Sequence, residues 1–266
     1  SFLIAILLGR ACGRVEYGLY TLLFSLLVTA EAFQVALVCT PYVVQSPSMN
    51  AGNKDAHLGN TLLIQLFMAI ATLASGLGML YMLPLSWTRD LLPGTVPAFA
   101  VAYVAVLCRE FFRQVLLADL RVGWNLMYGA SVHLSLAVSV SWLALSGRLN
   151  SRVALQCMAA CSAIPVLIVL WCKRRRMRFD LGKLRRQLAE NWHVGRWLVA
   201  QAVITVVSGP LYSWVLASSK GAATVGLLGA CLVPVSVLSP VVQALNAFLL
   251  PKASHAVRRG TLHVRR

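Results

Sequence analysis

Residues 21–38 read TLLFSLLVTAEAFQVALV, an apolar run of the length that crosses a bilayer, with one acid, Glu31, close to its middle. An ionised side chain at that depth costs about 2.5–3.5 kcal/mol on insertion scales, so it faces a protein interior or a wet cavity and finds a partner there. Gln34 stands three residues on and shares the helical face of Glu31. Two readings of the pair remain open. Glu31 and Gln34 form a proton or cation-coupling site in a ligand cavity, or Glu31 is a protonated acid bonded to a neighbouring helix.

Moving outward from this run, the 266-residue chain is 59% hydrophobic and 12% charged, where a soluble domain carries about 25% charged residues. About eight apolar stretches follow one another at 1–9, 17–40, 61–83, 96–112, 124–145, 153–172, 197–217 and 224–250. The fold class is therefore an all-α polytopic membrane protein. The first stretch is too short to span, the chain opens on Ser1, and it stops soon after a span; we expect a fragment cut at both ends. Stretch 1–9 lacks the basic leader and small-residue cleavage pattern of a signal peptide.

If the spans alternate, 18 of the 24 Lys and Arg fall on one side: Lys54, Arg109, Arg113, Arg121, nine residues within 173–196 and five within 252–266. The positive-inside rule makes that side cytoplasmic and starts the first helix inside, in a cytoplasmic (inner) membrane. The net charge of +16 then reports topology and contact with anionic lipid headgroups, not nucleic-acid binding. Within 173–196, Leu181, Leu184, Leu188 and Trp192 recur at helical spacing among basic residues, which predicts an amphipathic linker lying on the inner membrane surface. It divides a first unit, 1–172, from a second, 197–266.

Polar residues recur on single helical faces: Asn125, Tyr128, Ser135, Ser139 and Trp142; Gln201, Thr205, Ser208 and Tyr212; Ser236, Ser239, Gln243 and Asn246. Such stripes glue helices together or line a wet cavity. Arg109 and Arg113 lie one turn apart in REFFRQ, where they present two guanidiniums to a phosphate or snorkel to headgroups. The eight acids are scattered, with no paired carboxylates, and the five histidines lack metal-ligand spacing. His133 reads as a packed neutral side chain, and the seven cysteines show no C-x-x-C pair and read as small hydrophobes. We expect neither an enzyme, nor a metal, nor a cofactor.

Two segments look like copies. GRVEYGLYTLLFSLLVTAEAFQVALVCTP (13–41) and GAATVGLLGACLVPVSVLSPVVQALNAFLLP (221–251) each begin G-x4-G, pass through an apolar span, and reach Gln, Ala-Leu and Pro. Internal duplication is a mark of transporters whose halves rock about a central site. RACGRVEYGLY (10–20) resembles an R-x-x-G-x-x-x-Y-G-x-Y element that follows the first helix of O-antigen-type polysaccharide exporters, in the multidrug/oligosaccharidyl-lipid/polysaccharide exporter superfamily. REFFRQ resembles their arginine-rich end of the fourth helix, and residues 221–254 their eighth, with its Pro-Lys-Ala-Ser exit.

The resemblance implies two six-helix bundles, of which this chain would hold the first and the opening pair of the second. It implies a flippase moving a lipid-linked oligosaccharide, carried on polyprenyl diphosphate, from the inner to the outer leaflet for surface polysaccharide synthesis. A polysaccharide polymerase and glycosyltransferases would be its partners. Arg10 matches the family element and becomes a headgroup contact, with Arg109, Arg113, Gln243 and Asn246 as further substrate-binding candidates. The chain departs from the pattern at Leu228, where Tyr20 has its counterpart, and no second-unit arginine matches Arg10. Alternatives are a cation-coupled small-molecule exporter using Glu31, a non-transporting scaffold, and a membrane glycosyltransferase or polymerase.

Overall fold

A computed structural model describes residues 2–11, 13–49, 51–82, 92–174, 177 and 179–232. It contains helices and no strand among these residues, and six of the helices are long and apolar enough to cross a membrane. The helices are α1 (Phe2–Ala11), α2 (Arg14–Gln34), α3 (Thr40–Gln45), α4 (Ala51–Met82), α5 (Leu92–Ala118), α6 (Val122–Leu145), α7 (Ser151–Lys173), α8 (Leu181–Ser208), α9 (Pro210–Lys220) and α10 (Ala222–Leu232). Large apolar side chains stand exposed around the outside, Phe67, Leu126, Leu145 and Trp197 among them. In water this would be an aggregating surface; against lipid it is the expected one.

Residues 21–38 open the fold as expected, but α2 does not end with them. A π-helical turn, Val35–Cys39, joins it to α3. Pro41 supplies the reason: it has no N–H to donate and its ring crowds the carbonyl one turn back, and the wider turn, with Thr40 N–H bonded to Val35 O, relieves the crowding. The result is one rod over Arg14–Gln45.

Side-chain bonds between helix ends define two rims. At one, Asp119 after α5 pairs with Lys54 of α4 and, at 3.5 Å, with Lys173 of α7. Asn60 there exchanges two hydrogen bonds with the backbone of Asp180, just before α8. At the other, Ser151 Oγ at the start of α7 donates to Glu16 O of α2 (2.9 Å), and Gly94 of α5 abuts Arg152. The described spans from α2 onward thus alternate in direction, and the first rim, with Lys54, Arg121, Lys173, Lys183 and Arg186, is called the basic rim.

One expectation is corrected here. The amphipathic segment and the seventh span are one continuous helix, α8, with no break near residue 196; its Gln187, Asn191 and Gly195 are buried against the bundle. The break comes later, at Gly209–Pro210, where proline ends the hydrogen-bond ladder. Stretch 224–250 begins as α10, and its remainder lies outside the described residues, as does segment 252–266.

The second glycines of the two proposed copies, Gly18 and Gly226, meet. A Cβ on Gly18 would run into the carbonyl of Ala222, and one on Gly226 would lie 2.6 Å from the carbonyl of Arg14. Gly18 and Ala222 correspond to Gly226 and Arg14 when the copies are aligned on their second glycines, so the contact is reciprocal, the form that a twofold axis produces. Aligned residues also face each other directly: Gly226 lies against Gly18, and Gly229 against Thr21. Equivalent residues meet at successive turns, so α2 and α10 run parallel and their local axis follows the helices.

Candidate functional site

The apolar interior divides into two clusters stacked along the helices. One, toward the far rim, includes Leu27 and Ala30 of α2 with Val106 and Leu107 of α5. The other, toward the basic rim, includes Val38 and Cys39 with Cys108, Phe111 and Phe112. Between them lies a polar layer on α2 and α5. Gln34 is fully buried, and its Nε2 donates to Leu107 O at 2.8 Å. Its Oε1 has no hydrogen-bond partner among the described residues. Glu31 is half-buried one turn away, and the charges acting on it are those of Glu110, Arg109 and Arg113.

Spacing on α5 builds the rest. Glu110, Arg113 and Gln114 occupy one face, three and four residues apart. Glu110, 4% exposed, accepts from Arg113 Nε (2.7 Å) and Nη2 (2.5 Å) and from Gln114 Nε2 (2.9 Å). The bidentate clamp occupies the guanidinium edge that would otherwise grip a phosphate. Arg109 is half-buried and forms no hydrogen bond or ion pair among the described residues. Only its backbone carbonyl is engaged, as acceptor for Tyr128 Oη of α6 at 3.3 Å. The layer holds two acids and two arginines, one of them committed to a carboxylate and the other available.

Of the residues expected from the sequence, Glu31, Gln34, Arg109 and Arg113 come together here. Arg10 does not: it lies exposed on the last turn of α1, one short connection before α2, at the far rim. Gln243 and Asn246 lie outside the described residues. The acids are less scattered than they read, because Glu110 faces the same charges as Glu31 from another helix. Its signal was available in the i, i+3 spacing to Arg113 inside an apolar span. His133 faces the exterior of α6.

In two of the polar stripes Tyr128 joins α6 to α5, while small hydroxyls turn back on their own helices. Ser135 bonds the carbonyl of Val132, Thr205 that of Gln201, and Ser208 that of Ile204, each satisfying its hydroxyl within its own helix. Among the described cysteines, Cys39, Cys108 and Cys161 are buried, and none is paired.

Grooves open elsewhere, at the basic rim. One of about 800 Å³ is bordered by Gly52, Asn53, Phe179, Asp180 and Lys183; Lys183 beside Asp180 holds that carboxyl below its ordinary range. A second, of about 290 Å³, runs between α4 and α8 past His57, Asn60, Arg186, Gln187 and Glu190. Comparison with protein-family models, with curated proteins and with solved structures finds no match.

Proposed function

We propose that this chain moves an anionic lipid headgroup across the membrane, and that the cargo is an oligosaccharide on polyprenyl diphosphate carried from the inner to the outer leaflet. The observation that carries the reading is Arg109, an uncommitted guanidinium within the membrane-spanning part of α5, beside an arginine already neutralised by Glu110. A diphosphate entering the bilayer loses water and needs fixed donors to replace it; Arg109 offers them, and Glu110 keeps the neighbouring charge from trapping the ligand. The resemblance of REFFRQ and of the two glycine elements to polysaccharide exporters supports the same reading. The membrane potential supplies about 2.3 kcal/mol per elementary charge per 100 mV to outward movement of an anion.

Alternating access needs two halves that separate. The reciprocal contact of Gly18 with Ala222 and of Gly226 with Arg14 supports this as the point where they close at the far rim. A second reading, a cation-coupled exporter of small molecules, draws support from Glu31 itself, a half-buried acid inside a helix long and apolar enough to span, a position that marks ion and proton paths.

Reconstitution into proteoliposomes with a fluorescent polyprenyl-diphosphate oligosaccharide tests the proposal by the fraction of label that becomes accessible to an outside quencher. Arg109→Ala loses transfer by about two orders of magnitude, the equivalent of one charge-assisted contact of about 2–3 kcal/mol, while the protein inserts normally. Transfer at the wild-type rate in that variant would contradict the reading, and efflux of small cations in its place would favour the second.

A further inference from the structure

Polar side chains buried between α4 and α8 exceed what their own hydrogen bonds satisfy. On α4, His57, Thr61 and Gln65 recur at every fourth residue, 6%, 0% and 0% exposed. On α8, Gln187 and Asn191 do the same, 5% and 2% exposed. Gln187 Nε2 donates to Thr61 Oγ1 (2.6 Å) and to His57 O (3.2 Å), which fixes the register. Because both helices start at the basic rim, Gln65 and Asn191 each lie one turn deeper than this contact. Yet Nε2 of His57, both amide atoms of Gln65 and both of Asn191 find no partner among the described residues. Each such group costs about 1–3 kcal/mol if dry, and five gathered in one seam call for partners that the helices do not supply.

The seam leads toward the basic rim at one end and toward the polar layer at the other. Outward it meets the groove of about 290 Å³ that His57 and Gln187 themselves line, with Lys183, Arg186 and Glu190 at its mouth. Inward, one turn beyond Asn191, Gly195 lets α8 approach the π-helical turn so closely that a Cβ would lie 2.6 Å from Ala36 O. Gln34, with its unpaired Oε1, is two residues from Ala36, and Glu31 is one turn further.

We propose that the α4–α8 seam is a hydrated conduit that carries protons between the basic rim and the polar layer at Glu31. This rests on reading Glu31 as the coupling acid. Neutral amides, a hydroxyl and an imidazole are what a water chain requires, since each can both donate and accept. The charged groups facing Glu31 at the inner end are Glu110, Arg109 and Arg113, with the Cys39 thiol adjacent on the π-helical turn. Those at the outer end are Glu190, Arg186 and Lys183.

Infrared spectroscopy of the reconstituted protein tests this by following the protonated carboxyl band of Glu31, identified by its loss in Glu31→Gln, as it shifts on transfer to D2O. Replacing Gln65 and Asn191 together by leucine slows the shift by at least about tenfold, because apolar walls exclude the water chain. Phe67→Leu, on the exposed face of α4, leaves it unchanged. An unchanged rate in the leucine pair with the band still assigned to Glu31 overturns the conduit alone; a band that survives Glu31→Gln overturns both the conduit and the coupling role. Hydroxyl-radical footprinting of the unmodified protein provides a check free of folding effects. His57 is oxidised about as fast as exposed His193 in the basic part of α8 if water reaches it, and a His57 as inert as the fully buried Tyr103 overturns the proposal.

Discussion

Glu110 shows how a single side chain sets the behaviour of the polar layer. It receives three hydrogen bonds, two from Arg113, so its removal strands a guanidinium between two apolar clusters. Glu110→Gln therefore lowers stability by about 3–5 kcal/mol, the cost of leaving half of a buried pair. Glu110→Gln combined with Arg113→Gln recovers most of the loss, measured by thermal unfolding in detergent. Failure of the double variant to recover would mean that the pair does more than neutralise itself. Glu31 was legible in the sequence because one acid in an apolar run cannot be ignored. Its partners were not, since they come from α5 and only tertiary packing brings them within reach. Arg10 illustrates the converse: a motif position says nothing of depth, and one turn of helix end puts it at the far rim.

Among the elements, spans were legible and their ends were not. Stretch 17–40 became a rod over Arg14–Gln45, and 61–83 became a helix from Ala51, because polar turns such as that of Asn53, Lys54 and Asp55 continue a helix once its apolar part is fixed. The surface linker expected at 173–196 followed from an amphipathic pattern, but the buried face of its helix is Gln187, Asn191 and Gly195, polar and small residues that hydropathy assigns to water. The likeness of the two G-x4-G elements was legible, and their contact was not. Gly226→Val drives α10 from α2, since the backbone of Arg14 already stands within 2.6 Å of a Cβ there; overpacking of this kind costs about 1–3 kcal/mol. Gly123→Ala, with nothing within 4 Å, is neutral. Thermal unfolding of the two variants side by side tests this, and equal midpoints would contradict the packing.

Across the whole molecule, alternating helices put a wet seam and two grooves at the basic rim, a charged layer midway, and a closed glycine contact at the far rim. Composition alone dictated the membrane and the alternation, through the apolar spans and the lopsided placement of Lys and Arg. The order of polar layer, conduit and closure depended on which helices touch, which no single span encodes. Under the proposed function, α2 and α10 are the part that must separate. On a background lacking the native cysteines, Thr21→Cys with Gly229→Cys places two thiols across that contact, where a Cβ on Gly229 would lie 2.9 Å from Thr21 Oγ1, within disulfide reach. Headgroup transfer in proteoliposomes, measured before and after oxidation, is the most direct test. We predict that transfer stops when the disulfide forms and returns on reduction; transfer that continues undiminished across an intact disulfide would contradict the account.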